Sequence, residues 1–137
     1  MNKRREFGAV AVLFTEESQS YLRNLARHPV VHAYRILLEQ DPTTEDFMRR
    51  YKRIIGFCHS VSTVSLLEDA QNQALLVHLP PDVAHDEHPL HVAISSTHGK
   101  ETEVARFVED VLAKTRLASI TVKDGLLLVG TIQFLPR

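Results

Sequence analysis

Histidine is the side chain in this sequence best suited to chemistry near neutral pH, and there are 8 of them in 137 residues. His78, His85, His88, His91 and His98 crowd into one stretch, and an imidazole titrates near about 6.5. Such a density suggests metal ligation or acid–base catalysis. For a metal, His85, His88 and His91 stand at three-residue steps. Steps of three put ligands on one face of a helix, but Pro80, Pro81 and Pro89 break any helix here. In a strand, residues three apart face opposite ways. Cys58 is the only cysteine, so the chain holds neither an internal disulfide nor a cysteine-rich zinc set. No metal and no other cofactor is expected.

Acid–base chemistry needs two groups facing each other, and the sequence offers a pair. Val31-His32-Ala33-Tyr34-Arg35-Ile36-Leu37-Leu38 is followed by Asp41-Pro42 and an amphipathic stretch. Leu90-His91-Val92-Ala93-Ile94-Ser95 is followed by Gly99-Lys100 and another. Two such strand–helix units packed side by side set His32 and His91 across one groove, one imidazole neutral as base and the other charged as acid. Side chains alternate along a strand. His91, Ala93 and Ser95 are therefore expected on one face, with Leu90, Val92 and Ile94 in the core; His32, Tyr34, Ile36 and Leu38 likewise share a face. A serine-hydrolase reading fails for want of a Gly-x-Ser-x-Gly elbow, and Gly99-Lys100 lacks the other residues of a phosphate loop.

The elements that must position this pair follow from periodicity. Gly8 to Phe14 reads as a buried strand, and Thr15 caps a helix carrying Leu22, Leu25 and Ala26. Val30 to Glu39 is a second strand. Asp41-Pro42 opens a helix running to about Val61, with Phe47, Tyr51, Ile54, Ile55 and a buried Cys58 on one face and Arg49, Arg50, Lys52 and Arg53 in solvent on the other. Ser62 to Leu67 and Ala74 to Leu79 read as a hairpin, then come an acidic loop and the His91 strand. A helix from about Lys100 to Arg116 has Val104, Phe107, Val108, Val111 and Leu112 as its stripe. Ser119 to Val122 and Leu126 to Leu135 close the chain as a hairpin across Asp124-Gly125. The expectation is one α+β domain over residues 1–137, with antiparallel sheets and three helices on the outer faces.

A net charge of -1 gives no global pull toward nucleic acid or an anionic membrane, so such binding needs a local patch. Lys3-Arg4-Arg5 precedes an apolar run too short for a signal peptide, and no segment is long enough to span a bilayer. A soluble, cytoplasmic protein without membrane partners is expected.

The layout, with His32 and His91 as its two motifs, resembles the two-histidine phosphoesterases, the superfamily of bacterial RNA 2′,3′-cyclic phosphodiesterases. That resemblance implies a bilobal α+β fold in which two strand-borne His-x-Thr/Ser motifs face a central cleft. It implies a metal-independent phosphodiesterase acting on a cyclic or oligonucleotide phosphodiester, with His32 and His91 as catalytic acid and base. In the family two hydroxyls hold the phosphate. Here those positions are Tyr34 and Ala93, so Tyr34 and Ser95, one pleat further on, are the candidate substrate-binding hydroxyls. The alternative is a catalytically lapsed relative that binds RNA, a nucleotide or a protein through the same groove.

Overall fold

The computed structural model describes residues 7–29, 34–40, 49, 51–80, 90–123 and 126–136. Strands β1 (Phe7–Phe14), β2 (Arg35–Gln40), β3 (Cys58–Glu68), β4 (Asn72–His78), β5 (Leu90–Ser96), β6 (Ser119–Val122) and β7 (Leu127–Pro136) accompany helices α1 (Glu16–Leu25) and α2 (Glu101–Leu112). The strands form an antiparallel sheet in the order β2-β1-β7-β3-β4-β5, with β6 paired to β3. The end strands β2 and β5 also pack against each other, so the sheet curls almost shut. The fold is α+β. No helix among the described residues is long and apolar enough to cross a membrane.

Alternation along the strands produces two cores. The inner one collects Val10, Val12, Ile36, Leu75, Val77, Val92, Ile94 and Ile132, with Leu22 of α1. The outer one sets Leu67, Ala74, Leu76 and Ala93 against Val104, Phe107 and Val108 of α2, as the helical stripe predicts. Thr15 caps α1 by accepting from the Ser18 amide at 3.3 Å, and the Ser18 hydroxyl in turn accepts from the Val129 amide at 2.9 Å.

Several expectations are corrected. Among the described residues there are two helices rather than three. Residues 41–48 and 50 of the expected helix from Asp41 to Val61 lie outside them, and the part after Tyr51 is not helical. The chain turns after Tyr51, Gly56 adopts φ 83, and β3 starts at Cys58. A left-handed glycine ends a helix readily, and Val61, Thr63 and Val64 favour a pleated surface. Cys58 is consequently exposed. The bilobal pair of sheets is, among the described residues, a single sheet. The 11-residue β3 spans both halves, holding β4 on one edge and β7 and β6 in succession on the other. This succession also replaces the closing hairpin. β6 pairs with Ser65 to Glu68 and β7 with Cys58 to Ser62, and the Thr63 hydroxyl reaches the carbonyls of Lys123 and Leu126 where the two strands meet. Asp124 and Gly125 themselves lie outside the described residues.

Gly130 marks a close approach of β7 to β1. A Cβ there would lie 2.6 Å from Val12 Cγ1 and 2.8 Å from the Leu13 carbonyl oxygen. Because one of those atoms is backbone, Gly130→Ala is expected to lower stability by about 1–3 kcal/mol, the usual range for overpacking. Urea denaturation with an unchanged slope checks this.

Candidate active site under helix α2

The pairing of β4 with β5 decides which side chains meet. Leu76 faces His91, Leu75 faces Val92 and Ala74 faces Ala93, but Gln73 faces Ser95. Ile94 is therefore an extra residue, a bulge. Cross-strand partners share a face, so His91 and Ala93 lie on the outer side beneath α2 while Ser95 is turned inward beside Gln73. The common face expected for His91 and Ser95 does not exist, because one inserted residue reverses the alternation.

On the outer side a cavity of about 310 Å³ is lined by Arg35 and Leu37 of β2, His91 and Ala93 of β5, and Glu101 and Thr102 of α2. Its polar groups come from three elements. The Arg35 Nη2 donates to Glu101 Oε1 at 3.0 Å, with both side chains only about a quarter exposed, 27% and 25%. Arg35 Nε is buried and donates to nothing among the described residues. Burial pushes the His91 imidazole below the ordinary histidine range, and the carboxylates of Glu101 and Glu109 only partly oppose this. At neutral pH His91 is an uncharged imidazole, with a base's lone pair available, in the same cavity as a guanidinium.

The remaining predicted residues stand elsewhere. Tyr34 is 1% exposed and belongs to the inner core, where its hydroxyl donates to the Ile94 carbonyl at 3.1 Å. Gln19 fixes its backbone, donating to the Tyr34 carbonyl and accepting from the Tyr34 amide. Burial raises the phenol above its usual value despite the opposing charge of Arg23. Ser95 is fully buried and donates to Gln73 Oε1. His32, His85 and His88 lie outside the described residues. Among the described residues no three His, Cys, Asp or Glu side chains gather as a metal site. His98 lies apart from His91, exposed beside Glu103 at 3.2 Å.

Arg35, Glu101 and Thr102 are the cavity residues that the sequence reading missed. A signal existed: Arg35 is the one charge inside Tyr34-Arg35-Ile36-Leu37-Leu38, and it alternates with Tyr34. The alternation that turns Tyr34 into the core turns Arg35 to the cavity.

Comparison with known proteins defines the architecture further. The chain is similar to the crystal structure of a fungal RNA kinase, with a TM-score of 0.54 over 100% of this chain and 9% sequence identity. The likeness is one of fold. The chain covers 43% of that protein's length. No protein-family model and no curated protein matches the sequence.

Proposed function

We propose that the cavity around His91 binds a phosphodiester of RNA or of a cyclic nucleotide and cleaves it by proton transfer. In this reading His91, held neutral, removes the proton from the attacking hydroxyl or water, and His32 protonates the leaving oxygen. Arg35 receives the phosphate by exchanging Glu101 for the substrate's anionic oxygens. Guanidinium suits that exchange because its planar fork matches phosphate as well as carboxylate. Thr102 offers a hydroxyl at the same cavity. Tyr34 and Ser95 take no part, since their hydroxyls are committed inside the core. The observation that carries the reading is the juxtaposition of a neutral, half-buried imidazole with an arginine in a cavity of ligand size. The fold shared with an RNA kinase supports an RNA or nucleotide substrate.

A second reading has an observation of its own. Ala93 lines the cavity at the second family hydroxyl position, and the hydroxyl at the first, Tyr34, is sealed in the core. A protein that binds a nucleotide there without cleaving it fits this loss. The experiment is hydrolysis of 2′,3′-cyclic nucleotides and short oligoribonucleotides with EDTA present, alongside direct binding. Turnover is expected. Binding without turnover would select the second reading, and absence of both would reject the two together.

A further inference from the structure

We propose a second ligand site on the other flank of α2, a pocket that takes the base of a nucleotide against Asn72 and its phosphate at Arg106. This pocket, about 170 Å³, is lined by Gln71, Asn72, His98, Glu103, Arg106 and Arg116. The helix separates it from the first cavity. Glu101 and Ala105 border that one, Glu103 and Arg106 border this one, and Val104, Phe107 and Val108 pack into the outer core between them. The proposal needs no turnover and does not depend on the acid–base reading.

The walls are built before any ligand arrives. Asp69 Oδ1 accepts from the amides of Gln71 and Asn72, each at 2.8 Å, which fixes the turn into β4. Asp69 Oδ2 holds Arg116 at 3.1 Å, and the Arg116 guanidinium lies over the Phe107 ring, 5.2 Å from its centroid. His98 holds the Glu103 carboxylate at 3.2 Å. Against this order one atom stands out. Asn72 is 4% exposed, and its Oδ1 accepts no hydrogen bond among the described residues. Buried acceptors are nearly always paired, because an unpaired one forfeits its hydration. Asn72 lines the pocket, so a ligand seated there is the source of a donor for this buried oxygen.

The ligand's chemistry follows from the lining. A carboxamide sets an acceptor beside a donor, which matches a base edge carrying an amino group next to a ring nitrogen. Arg116 presents a flat cationic surface, and such guanidinium planes stack with bases. Arg106 is exposed at this pocket and makes no ion pair among the described residues, so a phosphate meets it without displacing a carboxylate.

The test uses AMP, adenosine and inorganic phosphate, with binding followed through the histidine ring signals by NMR. AMP is expected to shift the His98 signals, adenosine to bind about tenfold more weakly as one charged hydrogen bond is lost, and phosphate alone not to bind. Arg106→Gln should bring AMP down to the adenosine affinity and leave adenosine unchanged. Asn72→Leu should abolish both and raise the melting temperature, because it removes an unpaired buried oxygen. His91→Ala should leave the His98 shifts intact. Shifts at His91 without shifts at His98 would overturn this site while leaving the cleavage proposal standing. A lower melting temperature for Asn72→Leu with unchanged AMP affinity would also overturn it. His98 shifts in a protein with no turnover would support this site and sink the acid–base reading alone.

Discussion

Replacing His91 with alanine is expected to slow cyclic phosphodiester hydrolysis by about 10²–10⁴-fold, the usual worth of one positioned proton-transfer group. His32→Ala should cost a similar factor, since neither transfer substitutes for the other. Arg35→Gln should chiefly raise KM, because it removes charge from the bound phosphate and leaves both imidazoles. The pH profile adds a signature. Burial lowers the His91 value, so the neutral base persists into acid and the acidic limb of kcat/KM should fall below about 6.5. The same shift links to stability. In the unfolded chain His91 takes its proton at the higher, ordinary value, so its neutral burial is fully tolerated above about 6.5 and stability is lost as pH falls toward the folded value. His91→Ala should therefore blunt acid unfolding while slowing hydrolysis. Rates, pH profiles and urea midpoints of the three variants check the set; wild-type rates in His91→Ala would reject the mechanism. Ala93→Thr gives the converse test by returning a hydroxyl to the cavity. Ala93 is 5% exposed and packs into the outer core, so any gain in rate must be read beside a loss of stability.

The largest stability loss is expected for Gln73→Leu, on the order of 3–5 kcal/mol, a large share of a typical domain's stability. Gln73 is 1% exposed and uses its whole hydrogen-bonding capacity. Its Nε2 donates to the Leu25 carbonyl at 2.8 Å and to Glu68 Oε2 at 2.7 Å, and its Oε1 accepts from the Arg27 amide at 2.7 Å and from the Ser95 hydroxyl. Leucine would strand the Arg27 amide and the Leu25 carbonyl together with the Ser95 hydroxyl, and the end of α1 would lose its tie to β3, β4 and β5. Glu68 reports the same network. Burial pushes its carboxyl up, but the hydrogen bonds from Arg27 and Gln73 outweigh this and hold it below 4.5. Its stabilising contribution is thus present above 4.5 and lost as pH falls through the folded value. Gln73→Leu removes one of those bonds, so its acid unfolding should begin at higher pH. Urea titrations of wild type and variant from neutral to acidic pH measure both effects. A loss under 1 kcal/mol would show the network to be dispensable.

The sequence by itself determined the elements whose signals are local. The stripe of Val104, Phe107 and Val108 foretold α2 and the face it buries, and Thr15 with Glu16 foretold the start of α1. The apolar runs marked β1, β4 and β5, and His91 was legible as a strand residue outside the inner core. Periodicity carries such information because helix and strand geometry relate residues only a few positions apart. Tertiary structure alone decided what faces what. The Ile94 bulge appears only in the register between β4 and β5, yet it separates Ser95 from His91. Asp124-Gly125 announced a hairpin, but the long free edge of β3 took β6 and β7 in succession. The Arg35–Glu101 pair joins residues 66 positions apart and Gln73 joins Arg27 across 46, separations over which no local pattern acts. The cavity exists because β2 and β5 close the sheet beside α2, and closure is a property of the whole set of pairings rather than of any one segment.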